Sequence, residues 1–313
     1  MLHEGEWNVS YPAYGVHPGA DLTFGSMRSG IYLIEPYEIT SDAADTGDVR
    51  LPGQDGVRLG QDFRGQSTVT FELGVDSVDA AVDQLGRHGA NLAALSRLAG
   101  VWDAEAVRLR FGQPAVLRTV QGARARRLYG RPRKLAASGS RLTRQGYTPV
   151  VATFTAVDTS AYDDVEQSVR VGLQPPPHYG LVGPLTTPLT MVGEGATRVP
   201  GEVYIGGDRA TWPVMTIYGP ITKPAIDLVG RWTVALDMTL RDGERVTIDP
   251  RPWAMTVLRN GTANVAGYLT RSTPLMRDMR LPAGARQDIV LRGTDATGRS
   301  YATVAWRDAY SYL

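Results

Sequence analysis

Any chemistry in this chain has to be built from few parts. It has four histidines, His3, His17, His88 and His178, all far apart, and no cysteine. A zinc site calls for a close ligand pair, such as two histidines one helical turn apart, and none is present. Thiolate ligands, disulfides and cysteine nucleophiles are excluded by composition. Asp45, Thr46 and Gly47 spell the short signature of aspartic proteases, in which two carboxylates share a proton. The flanks here are polar and acidic and no second copy exists, so the stretch reads as a solvated acidic turn. Asp42, Asp45 and Asp48 lack the spacing of an EF-hand calcium loop. The stretch GEGATR, from Gly193 to Arg198, opens like a dinucleotide fingerprint but has arginine where the third glycine belongs. Neither Lys134 nor Lys223 follows a glycine, as a phosphate loop requires, and no G-x-S-x-G elbow occurs. Two glycosidase carboxylates could hide among 32 acidic residues, but no motif supports them. The run Trp306, Arg307, Asp308 near the C-terminus has no histidine or nucleophile to work with. The sequence therefore points to no enzyme, no cofactor and no metal.

Charge is more informative when read locally. The net charge of +1 argues against whole-protein attraction to nucleic acid or membrane. Residues 35–83, however, hold eleven acidic and three basic residues, whereas residues 106–157 hold eleven basic and no acidic ones. Two readings follow. The segments pair within one domain, as neighbouring strands facing solvent. Alternatively, an acidic face of one copy meets a basic face of the next, a heterologous contact that closes into a ring when the rotation permits. For the second reading the candidate interface residues are Arg124, Arg126, Arg127, Arg131, Arg133, Asp55 and Asp62. A nucleic-acid stripe fits less well, because only Tyr129 and Tyr147 interleave with the arginines.

The elements that must carry these residues are mostly strands. Val69, Phe71, Leu73 and Val75 alternate with polar or small residues, as do Val150, Ala152, Phe154 and Ala156; Val107, Leu109 and Phe111 suggest a third strand. Trp232, Val234, Leu236, Met238 and Leu240 share one face, and Ala302, Val304 and Trp306 make a closing strand that reaches solvent at Arg307 and Asp308. Turn signals at Asp242-Gly243, Asn260-Gly261 and Thr297-Gly298 divide residues 201–313 into about eight short strands, a sandwich or jelly-roll spacing. One segment has helical periodicity: Val78, Val82, Leu85, Leu92, Leu95 and Leu98 predict a helix over about 77–99, broken near Gly86 and Gly89 and packed on a sheet. The proline-rich stretch 173–200 separates a domain 1–172 from a domain 201–313. Its prolines also rule out a membrane helix in the longest uncharged stretch, and the start MLHEGEWNVS predicts no secretory signal.

Several segments, taken in order over residues 30–313, resemble one family. They are LPGQDGVRLGQDFRGQSTVTFEL, RRLYGRPRK and YTPVVATFTAVDTSAYDD in the first half. In the second half they are TPLTMVGEG, WPVMTIYGPITKPAI, LRDGERVTID, LPAGARQDIVLRG and ATVAWRDAY. The chain resembles the distal tail proteins of long-tailed, siphovirus-type bacteriophages, especially the minor tail proteins of phages that infect actinobacteria. The resemblance implies a mainly β protein: an N-terminal ring-forming domain, sandwich- or barrel-like with one helical segment, and a C-terminal galectin-like β-sandwich of jelly-roll type. It implies a structural protein of the virion, assembled in the host cytoplasm and placed at the tail tip. There a homo-hexameric ring would join the tail tube protein to the tail-tip hub, the host-binding proteins and other minor tail proteins. It implies no membrane partner and no sequence-specific nucleic acid. Some relatives carry inserted sugar-binding modules, and this chain has no insertion long enough for one. Two alternatives stay open: a free carbohydrate-binding sandwich, with Trp212, Trp232 and Trp253 as candidate platforms, and a tail-associated glycan hydrolase.

Overall fold

The computed structural model describes residues 2–42, 45–173 and 201–313. His178, GEGATR, TPLTMVGEG and all but the first residue of the expected connection lie outside the described residues. The chain is mainly β with one long helix, and it divides into two units, residues 1–165 with 310–313 and residues 166–309. The division therefore falls ahead of the expected 172. Gln167–Gly172 pairs with Tyr301–Trp306 in a sheet of the second unit, because alternating Val169 and Val171 continue that unit's buried face.

The first unit is a nearly closed sheet. Its strands run in the order Ala20–Phe24, Trp7–Tyr11, Ala115–Gln121, Arg124–Ala137, Tyr147–Ala156, Ser67–Asp76, Ile31–Leu33. The two ends of that list meet through Gly25, whose N–H donates to the Ile31 carbonyl at 2.7 Å. Gly25 has φ +107°, and a Cβ there would lie 2.9 Å from the Gly5 carbonyl oxygen, so closure at this point requires glycine. The expected alternations at Val69–Val75 and Val150–Ala156 are observed, with all eight apolar side chains buried. Inside, Trp7 and Phe24 each meet Phe71 edge-on at 4.9 and 5.1 Å, and Phe24 meets Trp102 at 5.8 Å. Such contacts add a modest increment to the area each ring buries.

Trp102 comes from the helix Gln84–Asp103, which differs from the expectation in three ways. It starts later, because Asp83 rather than Asp76 or Ser77 is the cap, its carboxylate accepting from the Gly86 N–H. It runs unbroken through Gly86, Gly89 and Gly100. Its buried side carries Asn91, Leu98 and Trp102, while Val82, Leu85 and Leu92 of the periodic series face solvent. Tertiary packing, not apolar spacing, set the face. The strand expected at Val107–Phe111 is not one: Glu105–Arg108 is a single helical turn, and Leu109 and Phe111 are exposed.

The second unit is a sandwich of two sheets. One runs Gln167–Gly172, Tyr301–Trp306, Val214–Tyr218, Arg245–Asp249, Thr256–Arg259, Ala263–Asn264. The other runs Gly201–Ile205, Ala285–Thr294, Ile221–Leu228, Trp232–Ala235, with Thr239–Leu240 also on Ile221–Leu228. Met215, Ile217, Val246, Ile248, Val257 and Val304 from one sheet share a core with Ile205, Ile226, Leu228, Val234, Ile289 and Leu291 from the other. Tyr301–Trp306 is an interior strand, with Ala302, Val304 and Trp306 buried as expected. Arg307 and Asp308 do not mark an exit to solvent. Arg307 pairs with Glu166 at 3.2 Å, and Asp308 accepts from the Gly206 N–H and the Trp306 Nε1–H. A Cβ on Gly206 would lie 2.4 Å from the Asp308 carboxylate, which explains the glycine. After Ala309 the chain rejoins the first unit, where Leu313 packs on the core.

Asn91 ties the helix to the sheet. Its amide donates to the carbonyls of Val75 and Gly146, and its oxygen accepts from the Thr148 hydroxyl at 2.7 Å. Without it the Val75 carbonyl loses a buried donor, while the Gly146 carbonyl keeps the Ser77 N–H and the Thr148 hydroxyl keeps Thr143. Asn91→Leu is therefore expected to destabilise the protein by on the order of 2–3 kcal/mol in urea unfolding. A loss too small to measure would show that the network does not hold the helix.

Candidate functional site

The site worth building is a surface, and it starts from the arginine-rich hairpin. Ala115–Gln121 and Arg124–Ala137 are joined at Gly122 and Ala123, which have φ +57° and +60°, the left-handed pair of a tight hairpin turn. The Glu4 carboxylate accepts both turn amides, at 2.6 and 3.0 Å. The register then puts Arg118 directly opposite Arg127. Like charges in that position repel. Asp164 resolves the conflict: its Oδ1 accepts from Arg127 at 2.5 and 2.9 Å and lies 3.3 Å from the Arg118 Nε. Next to it, Asp163 takes the Arg126 guanidinium at 3.0 Å, and Arg126 also stacks over the Tyr310 ring at 3.6 Å. Arg126 is buried.

Arg131 has a different task. It donates to the carbonyls of Arg110 at 2.7 Å and Gln113 at 3.0 Å. Burial first, and the neighbouring Arg133 second, push its guanidinium below the usual arginine range. What it braces is the loop carrying Leu109 and Phe111, and the Phe111 side chain is entirely exposed.

Of the seven candidate residues, then, the structure gives Arg126, Arg127 and Arg131 partners within their own unit. Arg124 and Arg133 lie exposed on the same strand. Asp55 and Asp62 lie on an exposed arm built from two short ladders, Asp45–Thr46 with Asp62–Phe63 and Val49–Arg50 with Val57–Arg58. The arm also exposes Val49, Val57, Leu59 and Phe63. Asp42, Asp45 and Asp48 are exposed in this region, and among the described residues no group of three or more acidic or histidine side chains could hold a metal ion. Among the described residues, no ion pair joins the acidic segment 35–83 to the basic segment 106–157. The arginines that are paired use carboxylates just outside the acid-free window, Asp103 and Glu105 before it for Arg108 and Asp163 and Asp164 after it for Arg118, Arg126 and Arg127, which is why a window-based charge count missed them. Exposed Phe111, Val82 and Leu85 were missed because they sit where the sequence predicted buried positions.

No family model matches the chain, and no curated protein matches it by sequence. Solved structures do match in fold. A chain from the phage P2 baseplate, in its activated conformation with calcium, has a TM-score of 0.54 at 9% identity, covering 98% of this chain and 99% of that one. The corresponding structure with strontium gives 0.51 at 9%, covering 96% and 97%. The Dit protein of phage SPP1, described as a paradigm of the hub adsorption apparatus in phages infecting Gram-positive bacteria, gives 0.49 at 11%, covering 89% and 91%. At such identities the likeness establishes the fold, shared over nearly the full length with a baseplate chain.

Asp164 is the testable centre of the hairpin. Asp164→Asn leaves Arg118 and Arg127 facing each other and is expected to lower stability by about 1–3 kcal/mol in urea unfolding at low salt. Part of that loss should return near about 1 M salt, where charges are screened within roughly 3 Å. A loss indifferent to salt would mean that Asp164 acts by packing alone.

Proposed function

We propose that the protein is a structural component of a phage tail tip, a ring-forming adaptor between the distal tail tube and the hub and host-adhesion apparatus, assembled as a homo-hexamer. The observation that carries this reading is the segregation of charge: among the described residues the acidic segment makes no ion pair to the basic one, and part of it lies on an arm that has no core of its own. An isolated two-stranded ribbon is marginal in water, and this one presents both carboxylates and apolar side chains for another chain to cover. The full-length fold match to a baseplate chain supports a tail-tip role. The second unit would be the galectin-like domain of such an adaptor. No cofactor and no catalytic step belongs to this function.

Within the proposal the contact runs head to tail. The arm of one copy, with Asp55 and Asp62, meets the next copy near Arg124 and Arg133, while Arg126, Arg127 and Arg131 hold the surface in shape from beneath. Rings closed by several modest contacts gain from avidity without a strong single one.

The test uses two charge-reversed variants. Arg124→Glu with Arg133→Glu, and Asp55→Lys with Asp62→Lys, should each stay folded and shift the particle mass towards monomer. Mixed together they should assemble again, because each acidic patch then finds a basic one in an alternating ring. A six-fold ring in negative-stain images of the unaltered protein supports the reading. A monomer at every concentration, or rings that form normally in both variants, would overturn it.

A further inference from the structure

The first unit holds an exposed apolar cluster that its own fold does not use. Two loops build it. Residues 108–114 carry Leu109 and Phe111, and the tight turn 14–17 carries Tyr14 and Val16. Tyr14 is the least exposed of the four at 45%, and Phe111 is exposed completely. The loops are tied to one another: the Arg110 guanidinium lies 5.4 Å from the centre of the Tyr14 ring, and His17 Nδ1 lies 2.9 Å from the Glu105 carboxylate. Arg131 braces the first loop through the carbonyls of Arg110 and Gln113. Single exposed apolar side chains are ordinary, whereas a cluster of them on adjoining, fastened loops marks an interaction surface. A loop ordered before contact also loses little freedom when it is covered.

Charge and direction indicate what covers it. Among the described residues Arg110, Arg131 and Arg133 form no ion pair; of the arginines near the cluster only Arg108 has one, with Asp103 and Glu105. The arm between Ser41 and Ser67 has the opposite balance, five aspartates against three arginines, and it exposes Val57, Leu59 and Phe63. Both surfaces are apolar with a net charge, and the signs are complementary. Direction follows from register. Ser67, Ala156, Gly130 and Ala115 stand opposite one another in a row across the sheet. The arm enters that row at Ser67, the first residue of a strand that runs the same way as Arg124–Ala137. The Phe111 loop enters it at Ala115, the first residue of a strand that runs the other way. Arm and loop therefore leave the row in opposite directions, and each stays exposed within one copy. A head-to-tail repeat brings the two together.

We propose that Phe111, with Leu109 beside it, is the apolar anchor of the contact between copies, seated against Val57, Leu59 and Phe63 on the arm of the next molecule. This rests on the ring-forming reading above and adds to it the groups that exclude water from the contact. It also separates the two exposed arginines. Arg133 is on the same strand as Arg131 and close to the anchor, whereas Arg124 lies at the other end of that strand, roughly 30 Å away. The basic groups steer the approach, and the covered aromatic ring sets how long the contact lasts.

The chain has no cysteine, so a disulfide reports only on residues placed to form it. In the full chain, Phe111→Cys is combined in turn with Val57→Cys, Leu59→Cys and Phe63→Cys, and each double variant is oxidised mildly. At least one pair is expected to give a covalent ladder beyond the dimer on a non-reducing gel, because each molecule then carries both halves of the contact. Either cysteine alone cannot build past a dimer. Phe111→Ser, which removes a side chain that lies in solvent, is expected to weaken association at least about tenfold in sedimentation, with an unchanged urea midpoint. Rings that form normally with Phe111→Ser overturn the anchor and leave ring assembly standing, as does the absence of a ladder from all three pairs in a protein that forms rings. A dimer that Phe111→Cys alone locks covalently overturns it too, since the cluster then meets itself. A monomer at every concentration overturns both the anchor and the reading on which it rests.

Discussion

One carboxylate, that of Asp164, decides what the arginine-rich hairpin can be. The register of its two strands places Arg118 across from Arg127, and no alternative pairing is open, because a slip by one residue would turn Leu117 and Leu128 out of the core. The repulsion is therefore built into the fold and has to be neutralised from outside the hairpin. Asp164 does so, and Asp163 does the same for buried Arg126. The strand Ala161–Asp163 is paired to the hairpin by this arrangement, and Tyr310, in the last described stretch of chain, packs under Arg126 as part of it. Charges that look like a binding stripe in the sequence are in large part internal fastenings.

The legible part of the fold was the part where burial alternates cleanly. Val69 to Val75 and Val150 to Ala156 pair with one another in the sheet, each with one face on the core, so period two in the sequence is period two in burial. The sandwich character of residues 201–313 was visible for the same reason, helped by turns that require Gly243, Gly261 and Gly298 at positive φ. The helix was legible in existence but not in orientation. Its inward face is led by Asn91, a polar residue chosen for three hydrogen bonds, while Val82 and Leu85 sit outside. No hydropathy pattern announces an asparagine as the anchor of a buried face.

The candidate surface was half legible. The opposition of acidic and basic segments can be read from the sequence, but which arginines remain exposed cannot. Arg124 and Arg126 are two residues apart and share one face of a strand, yet one is exposed and the other buried. The difference is the strand Ala161–Asp163, which arrives from elsewhere in the chain and covers only Arg126 and Arg127. Long-range pairing of this kind carries no local signature. Arg131 is a similar case, since its role depends on carbonyls of a loop the sequence suggested was a strand.

The asymmetry between the two charged segments then bears on assembly. Basic groups satisfied within a unit have already been desolvated during folding and add little to a later contact. The acidic arm has made less of a commitment: among the described residues its carboxylates form no ion pair, although Asp48 accepts from the Gly60 N–H, and Val49, Val57, Leu59 and Phe63 stay in water. Covering those side chains favours association, while the surrounding carboxylates oppose any partner that is not basic. An arm of this composition is poorly suited to pairing with a second arm, where like charges would meet. It is better suited to a different, basic surface on the next molecule. Contacts between unlike surfaces are heterologous, and a heterologous contact gives a closed ring where the rotation closes and an open helix where it does not. Under the proposed assembly, the charge pattern bears on symmetry more tightly than on the identity of any single interface residue.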